Sequence, residues 1–91
     1  SSRVLFVNFG EVESEFCLSL VKKLRDNNIN SELYPSAEKI KKQMNYANNK
    51  GVQYVVMVGE DEMKSGKLSI KNMQTGDQEK MNISELIKIL S

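Results

Sequence analysis

The sequence contains no histidine and no tryptophan, and it has one cysteine and one proline among its 91 residues. Without histidine, a zinc site has no plausible set of ligands. The single cysteine, Cys17, excludes an internal disulfide and is typical of a reducing compartment. No apolar run approaches the roughly 18 residues that span a bilayer, and no signal peptide is visible, so we expect no membrane partner.

A strong net charge is also lacking, because 13 basic and 12 acidic residues leave the chain at +1. The charges are nevertheless sorted along the sequence. Lysines crowd the segment 39–50, whereas Glu60, Asp61 and Glu62 follow the next predicted strand. A local positive face, rather than overall composition, therefore suggests a polyanionic partner. The length and the apolar content of 40% are those of one ordinary globular domain.

The hydrophobic periodicity predicts the order βαβαβ, followed by a β-hairpin and a helix. The continuous apolar run Val4–Val7 is expected for a strand covered on both faces. Apolar residues spaced i, i+3, i+4 and i+7 from Cys17 to Leu24 mark a helix, and alternation over Ile29–Tyr34 marks a strand nearer a sheet edge. The predicted elements are strand Val4–Val7, helix Val12–Asn27, strand Ile29–Tyr34, a helix from Ser36 to Gly51, strands Val52–Val58, Lys67–Met73 and Gln78–Met81, and a last helix with Asn82 and Glu85 as its capping box.

The second helix matters most for function, and its ends and faces are predicted as follows. Ser36 is expected as its N-cap, with Glu38 in its first turn. Gly51 is its natural end. Its buried stripe is expected to comprise Ala37, Ile40, Met44 and Ala47.

The order of elements predicts an α/β fold with three layers, α/β/α, around a five-stranded mixed sheet. Crossovers between parallel strands are right-handed, which places the first three strands parallel with helices on both faces, and the hairpin extends the sheet antiparallel. In open α/β sheets, ligands bind outside the carboxyl ends of the parallel strands. Three segments end there, Asn8–Glu11, Tyr34–Ser36 and Gly59–Glu60, next to the start of the second helix.

One face of the second helix is basic and carries an aromatic residue. Lys39, Lys42 and Tyr46 lie at i, i+3 and i+7, so they share a face that is rotated away from the apolar stripe. Ammonium groups can meet phosphates, and a ring can stack on an unpaired base, so this pattern suits RNA. A solvated lysine face, with Tyr46 at the margin of the core, is the alternative that the pattern leaves open.

Other candidate motifs predict no chemistry in these residues. The segment Gly59–Lys67 lacks the glycine spacing of a phosphate-binding loop, and its acids would repel phosphate. The run Glu60–Glu62 is expected to be solvated rather than metal-binding. Cys17 lies on an apolar stripe and is expected in the core. Glu11 has no partner that the sequence places beside it, so we expect no catalytic residue and no metal.

Several segments together form a recognisable combination. They are Val4–Glu11 at the first strand, Leu24–Pro35 from helix to strand, Lys41–Ala47 with Lys50–Val52 in the second helix, Val55–Glu62, and the hairpin segment Gly66–Gln78. In these segments the chain resembles the C-terminal anticodon-binding domain of class II aminoacyl-tRNA synthetases. The second helix and the hairpin are similar to those of the histidyl-tRNA synthetases in particular.

This resemblance implies binding of the anticodon loop of histidine tRNA by a domain formed from residues 1–91. It also implies that the chain is the C-terminal fragment of a larger, homodimeric, cytoplasmic ligase, a suspicion that Ser1–Ser2 directly before a strand supports. ATP-dependent attachment of histidine would belong to an N-terminal catalytic domain outside these residues. No cofactor is therefore expected in this domain, and ATP and magnesium are expected only in the catalytic one.

The resemblance also implies which residues contact the anticodon. Amides and a carboxylate would read base edges, lysines would hold phosphates, and a tyrosine would stack. The implied residues are Asn8, Glu11, Tyr34, Glu38, Lys39, Lys42, Gln43 and Tyr46.

Two alternatives remain beside this interpretation. The domain can belong to another class II synthetase, or to a synthetase-like regulator without catalytic activity. It can also be a flavodoxin-like protein-interaction module without RNA. A receiver domain is disfavoured because Asn8 and Gly59, rather than a phosphoacceptor aspartate, follow the central strands.

Overall fold

The computed structural model describes residues 2–91, which form one five-stranded sheet covered by helices on both faces. Ser1–Ser2 was one reason to expect that the chain is a fragment of a larger protein, and Ser1 lies outside the described residues. In chain order the elements are β1 (Val4–Phe6), α1 (Glu11–Asp26), β2 (Ser31–Leu33), α2 (Ile40–Lys50), β3 (Tyr54–Met57), α3 (Glu60–Ser65), β4 (Leu68–Asn72), β5 (Gln78–Met81) and α4 (Ile83–Leu90).

The sheet has the strand order β2-β1-β3-β4-β5, which confirms the predicted mixed topology. β1 pairs in parallel with β2 and with β3, whereas β4 and β5 are added antiparallel. β2 therefore lies at a sheet edge, as its weaker alternation predicts. The parallel pairing brings the carboxyl ends of β1, β2 and β3 to the same edge of the sheet.

Two apolar clusters lie on opposite faces of the sheet. The larger one joins α1, α4 and the side of the sheet that carries Val4 and Phe6. The smaller one joins α2 to the side that carries Leu5 and Val7. All of β1 is fully buried, which confirms that a continuous apolar run marks a strand covered on both faces.

The predicted stripe of α1 is confirmed, because its buried residues are Cys17, Leu20, Val21 and Leu24. Burial, with a smaller contribution from the charge of Glu13, raises the pKa of the Cys17 thiol to about 12. A thiol of this kind stays protonated at neutral pH and is a core residue, not a nucleophile.

The predicted start of α2 is wrong. The helix begins at Ile40, with Lys39 in the N-cap position and no side-chain cap. The hydroxyl of Ser36 instead donates to Glu38 Oε2 at 3.2 Å, and the backbone N–H of Glu38 donates to the Ser36 carbonyl at 2.9 Å. Short polar side chains can form local hydrogen bonds that compete with helix formation. Ser36 therefore forms a turn with Glu38 instead of capping the helix, and Glu38 lies ahead of the helix.

The predicted buried stripe of α2 is also wrong in part. Ala37 lies outside the helix and is exposed, and Ile40 is 45% exposed. The residues that α2 buries are Gln43, which is 0% exposed, and Ala47, with Met44 only partly buried. The helix is therefore rotated so that an amide, rather than an isoleucine, faces the end of β1.

Glu62 also departs from the sequence expectation, because it is not a solvated acid. Its side chain is 15% exposed. It accepts hydrogen bonds from the N–H of Gly59 at 2.8 Å and from the hydroxyl of Ser69 at 3.2 Å, and it pairs with Lys80 of β5. The Lys80 ammonium first, and then the Gly59 N–H, lower the pKa of Glu62 to about 2. One carboxylate thus ties α3 to both strands of the hairpin.

We expect Glu62 to make the stability of the domain sensitive to acid. Its folded-state pKa of about 2 lies below its ordinary value of 4.5, so its stabilising contribution is complete above pH 4.5 and is lost as the pH falls towards 2. Glu62→Gln should lower the free energy of unfolding at pH 7 by about 1.5–3 kcal/mol, the range for hydrogen bonds to charged groups. Urea unfolding at pH 7, 4 and 2.5 measures both effects.

Glu60→Gln is the matched control for this prediction. Glu60 lies in the same helix but pairs only with Lys64, and both side chains are about three-quarters exposed. Exposed ion pairs of this kind contribute little to stability, so Glu60→Gln should lose stability with falling pH as the wild type does. If Glu62→Gln kept the full wild-type loss of stability between pH 4.5 and pH 2, another carboxylate would be responsible.

Candidate nucleic-acid interface

The candidate interface lies at the edge where the parallel strands end and α2 begins. Asn8 and Glu11 follow β1, and Tyr34 follows β2. Glu38 and Lys39 immediately precede α2, and Lys42, Gln43 and Tyr46 belong to its first two turns. The structure thus places all eight residues that the resemblance implies around one end of the sheet, although it gives them different surroundings.

The amides of Asn8 and Gln43 are bonded to the protein backbone. Gln43 Oε1 accepts from the N–H of Asn8 at 2.8 Å, and Gln43 Nε2 donates to the carbonyls of Asn8 and Glu38, both at 2.9 Å. Asn8 Nδ2 donates to the Tyr34 carbonyl at 2.9 Å. These two side chains fasten the ends of β1 and β2 to the start of α2. An incoming base would have to break those bonds to be read by either amide.

The two tyrosines pack on each other rather than on open surface. Tyr34 is 9% exposed, and its ring meets that of Tyr46 edge to face, with 5.3 Å between the ring centroids. The Tyr46 hydroxyl donates to Glu32 Oε1 at 2.6 Å, and this hydrogen bond raises the pKa of Tyr46. The Lys50 ammonium lies 5.7 Å from the centroid of the Tyr46 ring. The stacking role expected of a tyrosine would disturb this cluster.

The exposed charges at the start of α2 form an open polar surface. Lys42 Nζ lies 3.3 Å from Glu38 Oε1, four residues earlier in the chain, and both side chains are well exposed. The hydrogen bond from Lys42, followed by that from Ser36, lowers the pKa of Glu38, so the group is a carboxylate at neutral pH. Among residues 2–91, Lys39 has no acidic partner. Lys41, in the first turn of α2, is likewise exposed and makes no ion pair among these residues, so both ammonium groups are available to a phosphate.

Sequence reasoning missed the exposed apolar residues of this edge. Phe9 is 47% exposed, Val12 at the start of α1 is 66% exposed, and Ile40 at the start of α2 is 45% exposed. Ile40 was expected in the core. Glu11, the first residue of α1, is exposed beside them. The available signal was Asn8-Phe9-Gly10 directly after a strand, since asparagine followed two residues later by glycine favours a local turn.

The charged groups of the candidate interface lie on an exposed surface. In the described part of the chain, no group of three histidine, cysteine, aspartate or glutamate side chains could hold a metal ion. None of the helices found there is both long enough and apolar enough to cross a membrane. A cleft of about 390 Å³ lies at the other end of α2 and has no charged lining residue. The cationic groups therefore face an open surface rather than that cleft.

Comparison with protein families gives a match that spans nearly the whole chain. A family model described as "Anticodon binding domain" matches residues 3–91. A histidine–tRNA ligase of Phocaeicola vulgatus is 46% identical over 89 residues, and one of Bacteroides fragilis is 44% identical over 90. These alignments cover 98% and 99% of this chain but 20% of each relative. The chain therefore spans about a fifth of the length of the curated relatives it matches.

Solved structures share the fold. A histidyl-tRNA synthetase from Nostoc superposes with a TM-score of 0.90 and 25% identity, over 98% of this chain and 21% of the other. The RNA-binding domain of a threonyl-tRNA synthetase from Cryptosporidium parvum gives 0.87 at 20% identity, over 97% and 22%. The predicted fold is thus confirmed, and the flavodoxin-like alternative is not supported. Because the family match and the five-stranded mixed sheet agree over residues 3–91, the chain belongs to the anticodon-binding domain family.

Proposed function

We propose that this domain recognises the anticodon loop of histidine tRNA as part of a histidine–tRNA ligase. The observation that carries the proposal is the exposed, cationic start of α2, held by Gln43 against the end of β1, in a chain 46% identical to a protein named histidine–tRNA ligase. The threonyl neighbour supports only the fold, at 20% identity. The sequence relatives therefore favour histidine tRNA over the tRNAs of other class II enzymes.

The ligase activity itself is proposed for the parent protein. Since the chain matches about a fifth of its relatives, ATP-dependent attachment of histidine, with its ATP and magnesium, would reside in the remaining part. We assign no cofactor to residues 1–91, which would form its C-terminal domain. A homodimeric, cytoplasmic parent is part of the same proposal. A parent that has lost catalysis and acts as a regulator is the alternative, and histidine-dependent pyrophosphate exchange by the parent separates the two.

Within the interface we propose a division of roles. Lys39 and Lys42 meet phosphates, and Lys42 exchanges its contact with Glu38 for one with RNA. Glu38, an exposed carboxylate, accepts from an exocyclic amine or a ring N–H of an unpaired base. Asn8 and Gln43 position these groups instead of reading bases, which revises the roles expected from the sequence. Tyr34 and Tyr46 brace α2 against β2, and Glu11 borders the interface without an assigned base.

We expect weak and salt-sensitive binding of the anticodon stem-loop of histidine tRNA by the 91-residue chain. A few phosphate contacts release counterions, so the affinity falls steeply as salt rises. Lys39→Ala and Lys42→Ala should each reduce the slope of log affinity against log salt by about 0.7–0.9. Titrations by fluorescence anisotropy at several salt concentrations measure the slopes.

The control for these lysines is Lys88→Ala. Lys88 lies in α4, which packs on the face of the sheet opposite to α2, and this change should leave the slope unaltered. An unrelated stem-loop of equal length tests specificity. Equal affinity for the two loops would reduce the interface to general charge attraction and would reject the proposed recognition.

Glu38 is expected to contribute specificity rather than affinity. Glu38→Ala releases Lys42 from its ion pair, so affinity for any loop should hold or rise slightly. The ratio of affinities for the cognate and single-base-changed anticodons should fall about fivefold or more, as for the loss of a base-edge contact. Glu38→Gln keeps an acceptor oxygen and should retain more of the ratio. An unchanged ratio in Glu38→Ala would limit Glu38 to its turn with Ser36.

Gln43 is expected to support binding through structure. Gln43→Leu leaves the buried N–H of Asn8 without its partner, which costs about 1–3 kcal/mol in the free energy of unfolding. The affinity for all loops should fall together, with the specificity ratio unchanged. Gln53→Leu removes an exposed hydrogen bond, from Arg3 Nε to Gln53 Oε1 at 2.7 Å, rather than a buried one, and serves as the control. A selective loss for the cognate loop would show that Gln43 reads a base.

A further inference from the structure

Phe9 is held outward by the turn in which it lies. Asn8 Oδ1 accepts a hydrogen bond from the N–H of Gly10 at 3.0 Å, so the side chain of Asn8 closes a turn with Phe9 at its apex. Gly10 has φ 140°, a conformation that residues with a side chain rarely adopt. The fractional exposure changes abruptly along this segment, from 0% at Val7 and 7% at Asn8 to 47% at Phe9.

The same turn is fixed beside the charged start of α2. The Nε2 group of Gln43 donates to the carbonyl of Asn8 and also to the carbonyl of Glu38. The backbone next to Phe9 and the backbone next to Lys39 are therefore close together, because a single amide group bonds to both. The exposed ring of Phe9, the exposed carboxylate of Glu38 and the exposed ammonium group of Lys39 thus share one rim of the sheet.

No other aromatic side chain in the described part of the chain is exposed to a comparable extent. Tyr34 and Tyr46 are engaged with each other, and Tyr46 is also bonded to Glu32. Phe6 is fully buried. Phe16 and Tyr54 pack against the larger apolar cluster. A base that enters this edge without rearranging the domain therefore meets Phe9 as its aromatic surface.

We propose that Phe9 is the stacking surface for an unpaired base of the RNA loop that this domain binds. The inference rests on the proposed function and adds to it a residue that the sequence did not nominate. Every base has a π-face, so stacking supplies affinity with little discrimination. In this arrangement Lys39 contacts the RNA backbone, Glu38 reads the edge of a base, and Phe9 supplies an apolar contact to the face of a base.

The absence of tryptophan from the chain makes the inference directly testable. Phe9→Trp introduces the only indole, and its emission should be quenched when the anticodon stem-loop of histidine tRNA binds. Affinity should be kept or increased in Phe9→Trp, and it should fall about 5- to 100-fold in Phe9→Ala. Phe9→Leu, which keeps apolar volume without a ring, should resemble Phe9→Ala. Circular dichroism and thermal melts of each variant check that the fold is retained.

The control variants are Leu18→Ala and Leu18→Trp. Leu18 is 58% exposed on α1, away from the rim, so these changes alter a similar exposed side chain. Leu18→Ala should bind the stem-loop with wild-type affinity, and the emission of Leu18→Trp should not change when RNA is added. Wild-type affinity in Phe9→Ala, or emission from Phe9→Trp that ignores RNA, would overturn the stacking role while leaving recognition intact. A wild-type chain that binds no stem-loop would instead overturn the proposed function and this inference with it.

Discussion

The buried side-chain amide of Gln43 is the interaction on which the interface depends. Moving an amide out of water costs free energy unless its groups find hydrogen-bond partners, and here three hydrogen bonds to backbone groups provide them. Those backbone groups lie past the end of β1 and ahead of α2, where neither strand nor helix pairs them. One side chain thereby pairs the backbone groups at the end of β1 and at the start of α2, and it fixes the distance between these two elements. The exposed groups of the rim depend on it for their relative positions.

The fold could be predicted because its determinants are local and repeated. The apolar run Val4–Val7 can be stable only under cover on both faces, and the stripe from Cys17 to Leu24 can face only a core. Residues suited to ending helices confirm the boundaries, since Asn28 and Gly51 both adopt positive φ. With right-handed crossovers, these elements leave few other ways to arrange the sheet.

The site could be predicted only as a region, because its details depend on distant partners. Hydrophobicity assigned Ile40 to the core, but the unpaired backbone of Asn8, 35 residues away from Gln43, decided which side of α2 faces inward. Glu62 differs from its acidic neighbours because β5 brings Lys80 to it. No local sequence pattern predicts the contact of Gln43 with Asn8 or that of Glu62 with Lys80. The resemblance implied residues that lie at one edge of the sheet, but it could not say which of their side chains are already hydrogen-bonded within the protein.

The central position of β1 has a consequence for how the interface comes into being. Val4 pairs with Tyr54 across 50 residues, whereas β4 and β5 pair through a short turn. Closing the longer loop carries the larger entropic cost, so the middle of the sheet is the slow part of its assembly. The rim requires β1 and α2 together, so we expect that a nascent or truncated chain in which β1 is not yet paired and covered by α2 does not present it. Occupation of this edge by a ligand would report that β1 and α2 have come together.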